Sequence, residues 1–229
     1  MLADRTKKIF LMVALLTVTA SGAGQISSFA QLDRADTKSG YIARLMINEV
    51  SFPGERAYES EIQTKEAMLQ ILWVLHSRIY LIPEGYTQQQ VASVSSGDII
   101  DIIAGSGEKR QCQGFYENSD GKFVTDARVE ERISYLLKIA NKGGKPGRFS
   151  NLLNFAQGLA SAYVIGGIFG ADRYADLKWV GRTAVTGHSY SWMTDINNYH
   201  PGGNFVFIPN ELEGALGGNR FFTLRKEPR

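Results

Sequence analysis

The stretch that decides the fold reads I-A-R-L-M-I-N-E-V-S-F-P-G-E, from Ile42 to Glu55. Its apolar residues recur near helical spacing and predict a helix over residues 40–51, with Ser39 as a possible cap. The Pro53-Gly54 pair ends this helix, because proline lacks an amide donor and glycine tolerates positive φ. Glu49 is therefore expected near the end of an apolar helix, where its side chain can point into a groove.

Helical periodicity dominates the chain as far as the long apolar run that ends at Gly170. Further helices are predicted over Ser60–Tyr80, Thr87–Ser95, Gly97–Ala104, Asp126–Asn141 and Ser150–Gly170, with Thr87 as the cap of the second and Ser96 as the cap of the third. A turn signal at residues 118–121 predicts a small hairpin or an irregular excursion. Short strands or extended segments are predicted over Val185–Ile196, Asn204–Ile208 and Arg220–Leu224. The fold class is therefore α+β, predominantly α, with a small C-terminal β appendage.

Two of these helices carry specific expectations about burial. In the helix over Ser60–Tyr80 we expect Ile62, Leu69, Leu72 and Trp73 to share one buried face. The run over Ser150–Gly170 is apolar enough to suggest a membrane span. Polar residues at 151, 154 and 157 interrupt it, so a buried central helix is the better interpretation.

The N-terminus matches an export signal. Arg5 to Lys8 forms a charged region, Ile9–Ala20 forms a short apolar region, and cleavage is expected after Ala23 or Ala30. The apolar region falls short of the ~20 residues that a spanning helix needs. We therefore predict a signal peptide over residues 1–30 and one domain over residues 31–229. The mature protein would be periplasmic or extracellular, with no stable membrane anchor.

Composition excludes some functions and leaves others open. The formal net charge is +2, and residues 1–30 account for all of it, so the predicted mature chain is neutral and gives no support for nucleic-acid binding. The single cysteine, Cys112, cannot form an intramolecular disulfide and is expected to be a packed core residue.

Glu49 has the neighbours that a general acid requires. Burial beside apolar groups such as Ile47, Val50 and Phe52 disfavours the carboxylate and raises the pKa. A protonated carboxyl can donate its proton to a glycosidic oxygen as the bond breaks. Local sequence alone also allows an ordinary exposed helix glutamate.

Four segments of the chain resemble the SleB-type cell-wall hydrolases, a germination and cortex-lytic group. The segment I-N-E-V-S-F-P-G-E at Ile47–Glu55 and the helix W-V-L-H-S-R-I at Trp73–Ile79 resemble the family's I-N-G-E-A-R-G-E and V-I-L-N-R-V segments. The segments at Asp195–Phe207 and L-G-G-N-R-F-F at Leu216–Phe222 resemble its closing motifs. Here the glycine before the family's acidic residue is missing, and two extra residues precede Glu55.

The resemblance implies a lysozyme-like fold and cleavage of peptidoglycan glycan strands by a lytic transglycosylase or muramidase. Its acidic residue falls on Glu49, which is the expected catalytic group, and no metal or organic cofactor is implied. The expected substrate-binding residues are Glu55, Tyr116, His188, Tyr190, Trp192, Asp195 and Asn204. For Tyr190 and Trp192, sugar stacking and ordinary packing are both consistent with an aromatic ring.

Other functional classes stay open. His188 and Asp195, with six residues between them, resemble part of a zinc peptidase signature. A zinc site needs about three protein ligands, and the closing part of that signature is absent. The G-H-S-Y-S run around Ser189 departs from the nucleophile elbow of serine hydrolases, because Ser191 replaces its last glycine. A non-catalytic wall-binding protein is a further alternative.

Overall fold

The computed structural model describes residues 29–105, 112–143, 145–176, 189–197 and 200–226. Helices account for about half of the chain and a small part is β-sheet, so the predicted class, α+β and mostly α, is confirmed. The helices are α1 (Lys38–Glu49), α2 (Glu61–Tyr80), α3 (Gln88–Ala92), α4 (Ile99–Ala104), α5 (Ala127–Asn141) and α6 (Arg148–Ala175). The strands are β1 (Phe115–Glu117), β2 (Phe123–Thr125), β3 (Ser191–Thr194), β4 (Phe205–Phe207), β5 (Ala215–Leu216) and β6 (Asn219–Leu224).

Side-chain caps explain where most of the helices begin. Ser60 caps α2, and Thr87 caps α3 through a reciprocal pair of bonds with Gln90. The predicted caps of two other helices are wrong. Thr37, not Ser39, accepts from the backbone of α1, and Asp98, not Ser96, caps α4. These shifts move helix boundaries by one or two residues and leave the architecture unchanged.

Four helices form the core of the molecule. The long helix α6 packs against α1, α2 and α5, and α5 also packs against α1. Helix α2 is buried around most of its circumference, so the single buried face predicted for it is incomplete. Ile62, expected on that face, is 61% exposed.

Helix α6 is central in its first half and exposed on one side in its second, where Ile168 and Ala171 stay buried. Gly166 and Gly167 depart from helical geometry, and Gly167 has φ 59°, a conformation that glycine adopts without strain. Beyond this kink Phe169 is 78% exposed, and just before it Ile165 is 88% exposed. Within the described residues, α6 alone is long and apolar enough to cross a membrane by length and composition, and much of its apolar stretch lies outside the buried core.

The C-terminal strands form an antiparallel sheet in the order β3-β6-β4, with β5 paired to the start of β6. The β5–β6 turn places Gly218 against the loop between α1 and α2. A Cβ on Gly218 would lie 2.5 Å from the Ala57 carbonyl oxygen, so only glycine permits this approach. The sheet therefore sits directly beside the C-terminal end of α1.

The predicted hairpin is also present. Strands β1 and β2 pair antiparallel around residues 118–121, and Asn118 closes the turn through backbone and side-chain bonds. Cys112 lies just before β1 and is buried, in agreement with a packing role. Burial raises the pKa of its thiol, which disfavours the reactive thiolate.

Candidate active site

Glu49 is the last residue of α1, at the point where the helix meets the sheet. The chain leaves the helix at Val50 in an extended conformation. The Asn219 side chain, from β6, donates to the Glu49 carbonyl oxygen at 3.0 Å. This bond satisfies one of the carbonyls that a helix end leaves without a partner, and it fixes the end of α1 to the sheet.

The Glu49 carboxyl group is held by two neutral donors. Trp192 Nε1 donates to Oε2 at 3.0 Å, and Asn48 Nδ2 donates to Oε1 at 3.2 Å. Burial raises the pKa of Glu49 above its ordinary value of 4.5, while these two bonds and the charges of Arg128 and Arg132 oppose the shift. The net effect is upward, so Glu49 keeps its proton to a higher pH than an exposed glutamate does.

A cleft of about 290 Å³ opens beside this carboxyl group. Its walls come from the end of α1, the loop that follows, the start of α5 and the β5–β6 turn with its neighbouring strands. The lining residues are Asn48, Glu49, Val50, Ser51, Glu55, Arg128, Arg132, Thr194, Gly218 and Asn219. The cleft therefore joins two segments that are far apart in sequence, residues 48–55 and residues 218–219.

Glu55 lies in the same cleft in a different environment. Both of its oxygens accept from Arg132, with Nη2 to Oε2 at 3.0 Å, and Oε2 also accepts from the Phe52 amide at 2.7 Å. Arg132 Nη2 additionally donates to the Val50 carbonyl oxygen at 3.0 Å. Glu55 thus forms an ion pair through both oxygens, which ties the loop to α5. In the described part of the chain, no cationic side chain donates a hydrogen bond to Glu49.

The two aromatic residues expected to stack on sugars are both buried. Trp192 is 8% exposed, and its ring packs against the Arg78 guanidinium at 5.4 Å. Tyr190 is 6% exposed, and its hydroxyl donates to the Leu81 carbonyl oxygen at 2.6 Å. This burial favours packing, one of the two roles that the sequence left open for these rings, over sugar stacking. Trp192 instead holds the Glu49 carboxyl group.

The structure also describes three other predicted groove residues. Asp195 is paired with Arg220 at 2.6 Å, Tyr116 belongs to β1, and the Asn204 carbonyl accepts from the Arg225 amide at 3.0 Å. None of these three is among the cleft-lining residues. His188 lies outside the described residues.

A zinc site finds no support in the part of the chain that the structure describes. Within those ranges no three His, Cys, Asp or Glu side chains are grouped so that they could hold a metal ion. Asp195, expected as a ligand in the zinc alternative, has both oxygens engaged by Arg220. The expectation about His188 falls outside the described residues.

The site contains residues that the sequence analysis did not identify. Arg128 and Arg132 come from α5 and reach the cleft together, and Asn219 comes from β6. A signal for the arginines was present, because they are four residues apart on α5, at the edge of the face that buries Val129 and Ile133. The spacing of the two arginines alone does not predict which cleft they border.

Comparison of the chain with protein-family models, with curated proteins and with solved structures finds no match in any of the three. What supports a function is therefore the geometry of the Glu49 cleft together with the resemblance of the segments that meet there. The cleft is lined by Glu49 and Glu55 from one of those segments and by Gly218 and Asn219 from another.

Proposed function

We propose that this chain is an exported, lysozyme-like enzyme that cleaves the glycan strands of peptidoglycan, with Glu49 as its general acid. The observation that carries the proposal is the half-buried Glu49 carboxyl group at the cleft, bonded to Trp192 and Asn48 and raised in pKa by burial. General acids in glycan cleavage need this combination of a held carboxyl group and a retained proton.

The reaction can proceed with Glu49 as its only acid and base. Glu49 gives its proton to the glycosidic oxygen while the bond from that oxygen to the anomeric carbon breaks. The 6-hydroxyl of the muramyl residue then bonds to the anomeric carbon, and its proton returns to the Glu49 carboxylate. The product is an anhydro sugar, and Glu49 is protonated again for the next turnover.

Attack by water in place of the 6-hydroxyl gives a reducing end and makes the enzyme a muramidase. That route commonly uses a second carboxylate as nucleophile or base. Glu55 is the other carboxylate in the cleft, and both of its oxygens are occupied by Arg132. This engagement favours the route through the sugar's own hydroxyl group.

The test is the digestion of purified peptidoglycan by wild-type protein and by Glu49→Gln. The substitution keeps the side chain's size and removes the transferable proton. We expect soluble fragments with anhydro ends from the wild type and about a 10³-fold lower rate from the variant, within the range that general acids contribute. Mass spectrometry of the fragments identifies the bond that is cut.

Glu66→Gln is a matched control, because Glu66 also has a raised pKa but does not line the cleft. It should digest walls at the wild-type rate. Undiminished activity of Glu49→Gln, or release of peptide ends that stops in chelator, would reject the proposal. Wall binding without any released product from the wild type would reject it as well.

A further inference from the structure

The cleft beside Glu49 carries two arginines whose surroundings differ. Arg128 and Arg132 are separated by one helical turn of α5, so both side chains project from the same face of that helix. Arg132 is engaged by Glu55 through two nitrogens and by the Val50 carbonyl oxygen. Its charge is therefore matched inside the protein.

Arg128 is not matched in this way. It is exposed, and its hydrogen bonds run to Gln113, from Nη1 to Oε1 at 3.4 Å and from Nη2 to the carbonyl oxygen at 3.3 Å. Both bonds are long and both acceptors are neutral. In the described ranges no carboxylate lies within ion-pair distance of Arg128, although Glu49 and Glu55 border the same cleft.

These two carboxyl groups are occupied by other donors. Glu55 is held by Arg132 and the Phe52 amide, and Glu49 is held by Trp192 and Asn48. With Glu49 protonated, the groups facing the cleft are two guanidinium ions and one carboxylate. The cleft therefore has an excess positive charge located at Arg128.

We propose that Arg128 binds a carboxylate of the glycan substrate, next to the bond that Glu49 cleaves. This inference rests on the proposed function and names the class of strand that the cleft selects: a glycan that carries a carboxylate near its scissile linkage. A guanidinium presents parallel N–H donors in the geometry that a carboxylate accepts, and the long bonds to Gln113 can be replaced at little cost.

The position of Arg128 also couples this binding to catalysis. The charge of Arg128 acts to lower the pKa of Glu49, which places the two groups within electrostatic range of each other. A bound carboxylate neutralises that charge. A charged strand thereby helps Glu49 to keep the proton that it donates.

In peptidoglycan two groups offer this carboxylate. One is the lactyl group of a muramyl residue that has lost its peptide, and the other is a carboxylate of an attached peptide. Their chemistry toward Arg128 is the same. Strands with the peptides removed present the first group, and strands with intact peptides present the second.

The experiment measures kcat and KM for wild-type protein and Arg128→Gln on both kinds of strand, and on the same strands after conversion of their carboxylates to neutral amides. Lys138→Gln is the control, because Lys138 is an exposed cation on the same helix that does not line the cleft. Binding of peptide-free and of peptide-bearing oligosaccharides by Glu49→Gln, with and without Arg128→Gln, gives a readout that does not depend on turnover.

We expect Arg128→Gln to raise KM about tenfold on one of the two carboxylate-bearing strands, which identifies the source, and to have no effect on the amidated strands. Affinity in the Glu49→Gln background should fall by a similar factor. Equal effects of Arg128→Gln on charged and amidated strands, or no effect on either, overturn this inference while leaving the role of Glu49 intact. Full activity of Glu49→Gln instead overturns the proposed function.

Discussion

The two walls of the cleft hold the same kind of side chain in opposite ways. On the wall formed by α1 and the sheet, the donors to Glu49 among the described residues are the neutral side chains of Trp192 and Asn48, and burial raises its pKa. On the wall formed by the loop and α5, Glu55 is held by a guanidinium and a backbone amide. Environment, not residue type, therefore separates a carboxyl group with a raised pKa from a carboxylate held in an ion pair.

The two walls also show that different parts of the fold position the Glu49 carboxyl group and supply the charge of the cleft. The sheet reaches the end of α1 twice, through Asn219 to the Glu49 backbone and through Trp192 to its carboxyl group. Both contacts come from neighbouring strands, because β3 and β6 pair with Thr194 opposite Asn219. The β appendage thus positions the chemical group, while α5 supplies the charged wall.

The contrast between Glu49 and Glu55 would fail most clearly if Glu55 also took part in the reaction. We expect Glu55→Gln to lower the rate of wall digestion less than tenfold, while Glu49→Gln lowers it about 10³-fold. The reason is that Glu55 is occupied by Arg132, whose guanidinium also packs over the Phe52 ring at 5.9 Å. Initial rates at one pH compare the two variants. A similar collapse in both would make Glu55 a second reacting carboxylate.

Glu66 tests whether a raised pKa alone is enough to identify a carboxyl group that is needed for activity. Burial, with a smaller effect from Glu59, raises the pKa of Glu66 to about 7 from an ordinary 4.5. The folded protein then holds this proton more tightly than the unfolded chain, so stability is full below pH 4.5 and declines as pH rises to about 7. Glu66→Gln removes that decline and should stabilise the protein by about 3 kcal/mol at pH 8.

Denaturant unfolding of wild type and Glu66→Gln at pH 4 and pH 8 measures this effect. The two proteins should differ at pH 8 and converge at pH 4, with equal rates of wall digestion. A loss of activity in Glu66→Gln would contradict the distinction between a buried carboxyl group and a carboxyl group at the cleft. A stability difference that is independent of pH would show that packing, not titration, dominates at this position.

Trp192→Phe tests the hydrogen bond that holds the Glu49 carboxyl group on the α1 side of the cleft. The substitution keeps an aromatic ring and removes the N–H that holds Glu49 Oε2, so we expect turnover to fall about tenfold. That bond also favours the charged form of Glu49, so its loss raises the pKa further. If Glu49 donates a proton as proposed, the alkaline limb of the rate profile should move to higher pH even as the maximum rate falls.

A second tryptophan provides the matched control for this variant. Trp73 Nε1 donates to Asp172 Oδ1 at 2.9 Å, away from the cleft. Trp73→Phe therefore removes an equivalent bond to a carboxyl group and should leave the pH profile of wall digestion unchanged. Equal displacement of the alkaline limb in both variants would mean that Trp192 acts through general stability alone.

The local features of the fold could be predicted from the sequence, and the assembly of the cleft could not. Helix spacing, the capping residues Ser60 and Thr87, and the turn at residues 118–121 depend on neighbours in the chain, and the structure contains all of them. Ile62 shows the limit of this approach, because periodicity identifies an apolar stripe but not which neighbours will cover it.

Because sequence patterns reveal only local neighbours, just part of the site could be predicted. Glu49 and Glu55 lie within one short segment, so their common location follows from the chain itself. Trp192 was expected in the groove as a stacking surface, but its partner Glu49 lies 143 residues away in sequence, and only the packing of the sheet against α1 brings them together. Arg128 and Arg132 were visible as a polar helix face without a known neighbour.

The smallest expected effect concerns the ion pair of the α5 wall. Arg132→Lys keeps the positive charge but replaces the two-nitrogen contact with Glu55 by a single ammonium group. Both side chains are partly exposed, so the expected loss in the free energy of unfolding is only about 0.5 kcal/mol. A double-mutant cycle with Glu55→Gln, followed by denaturant unfolding, isolates the coupling between the two residues. Strictly additive effects would show that the pair does not hold this wall, and the orientation of α5 beside Glu49 would then depend on its buried apolar residues, among them Val129 and Ile133.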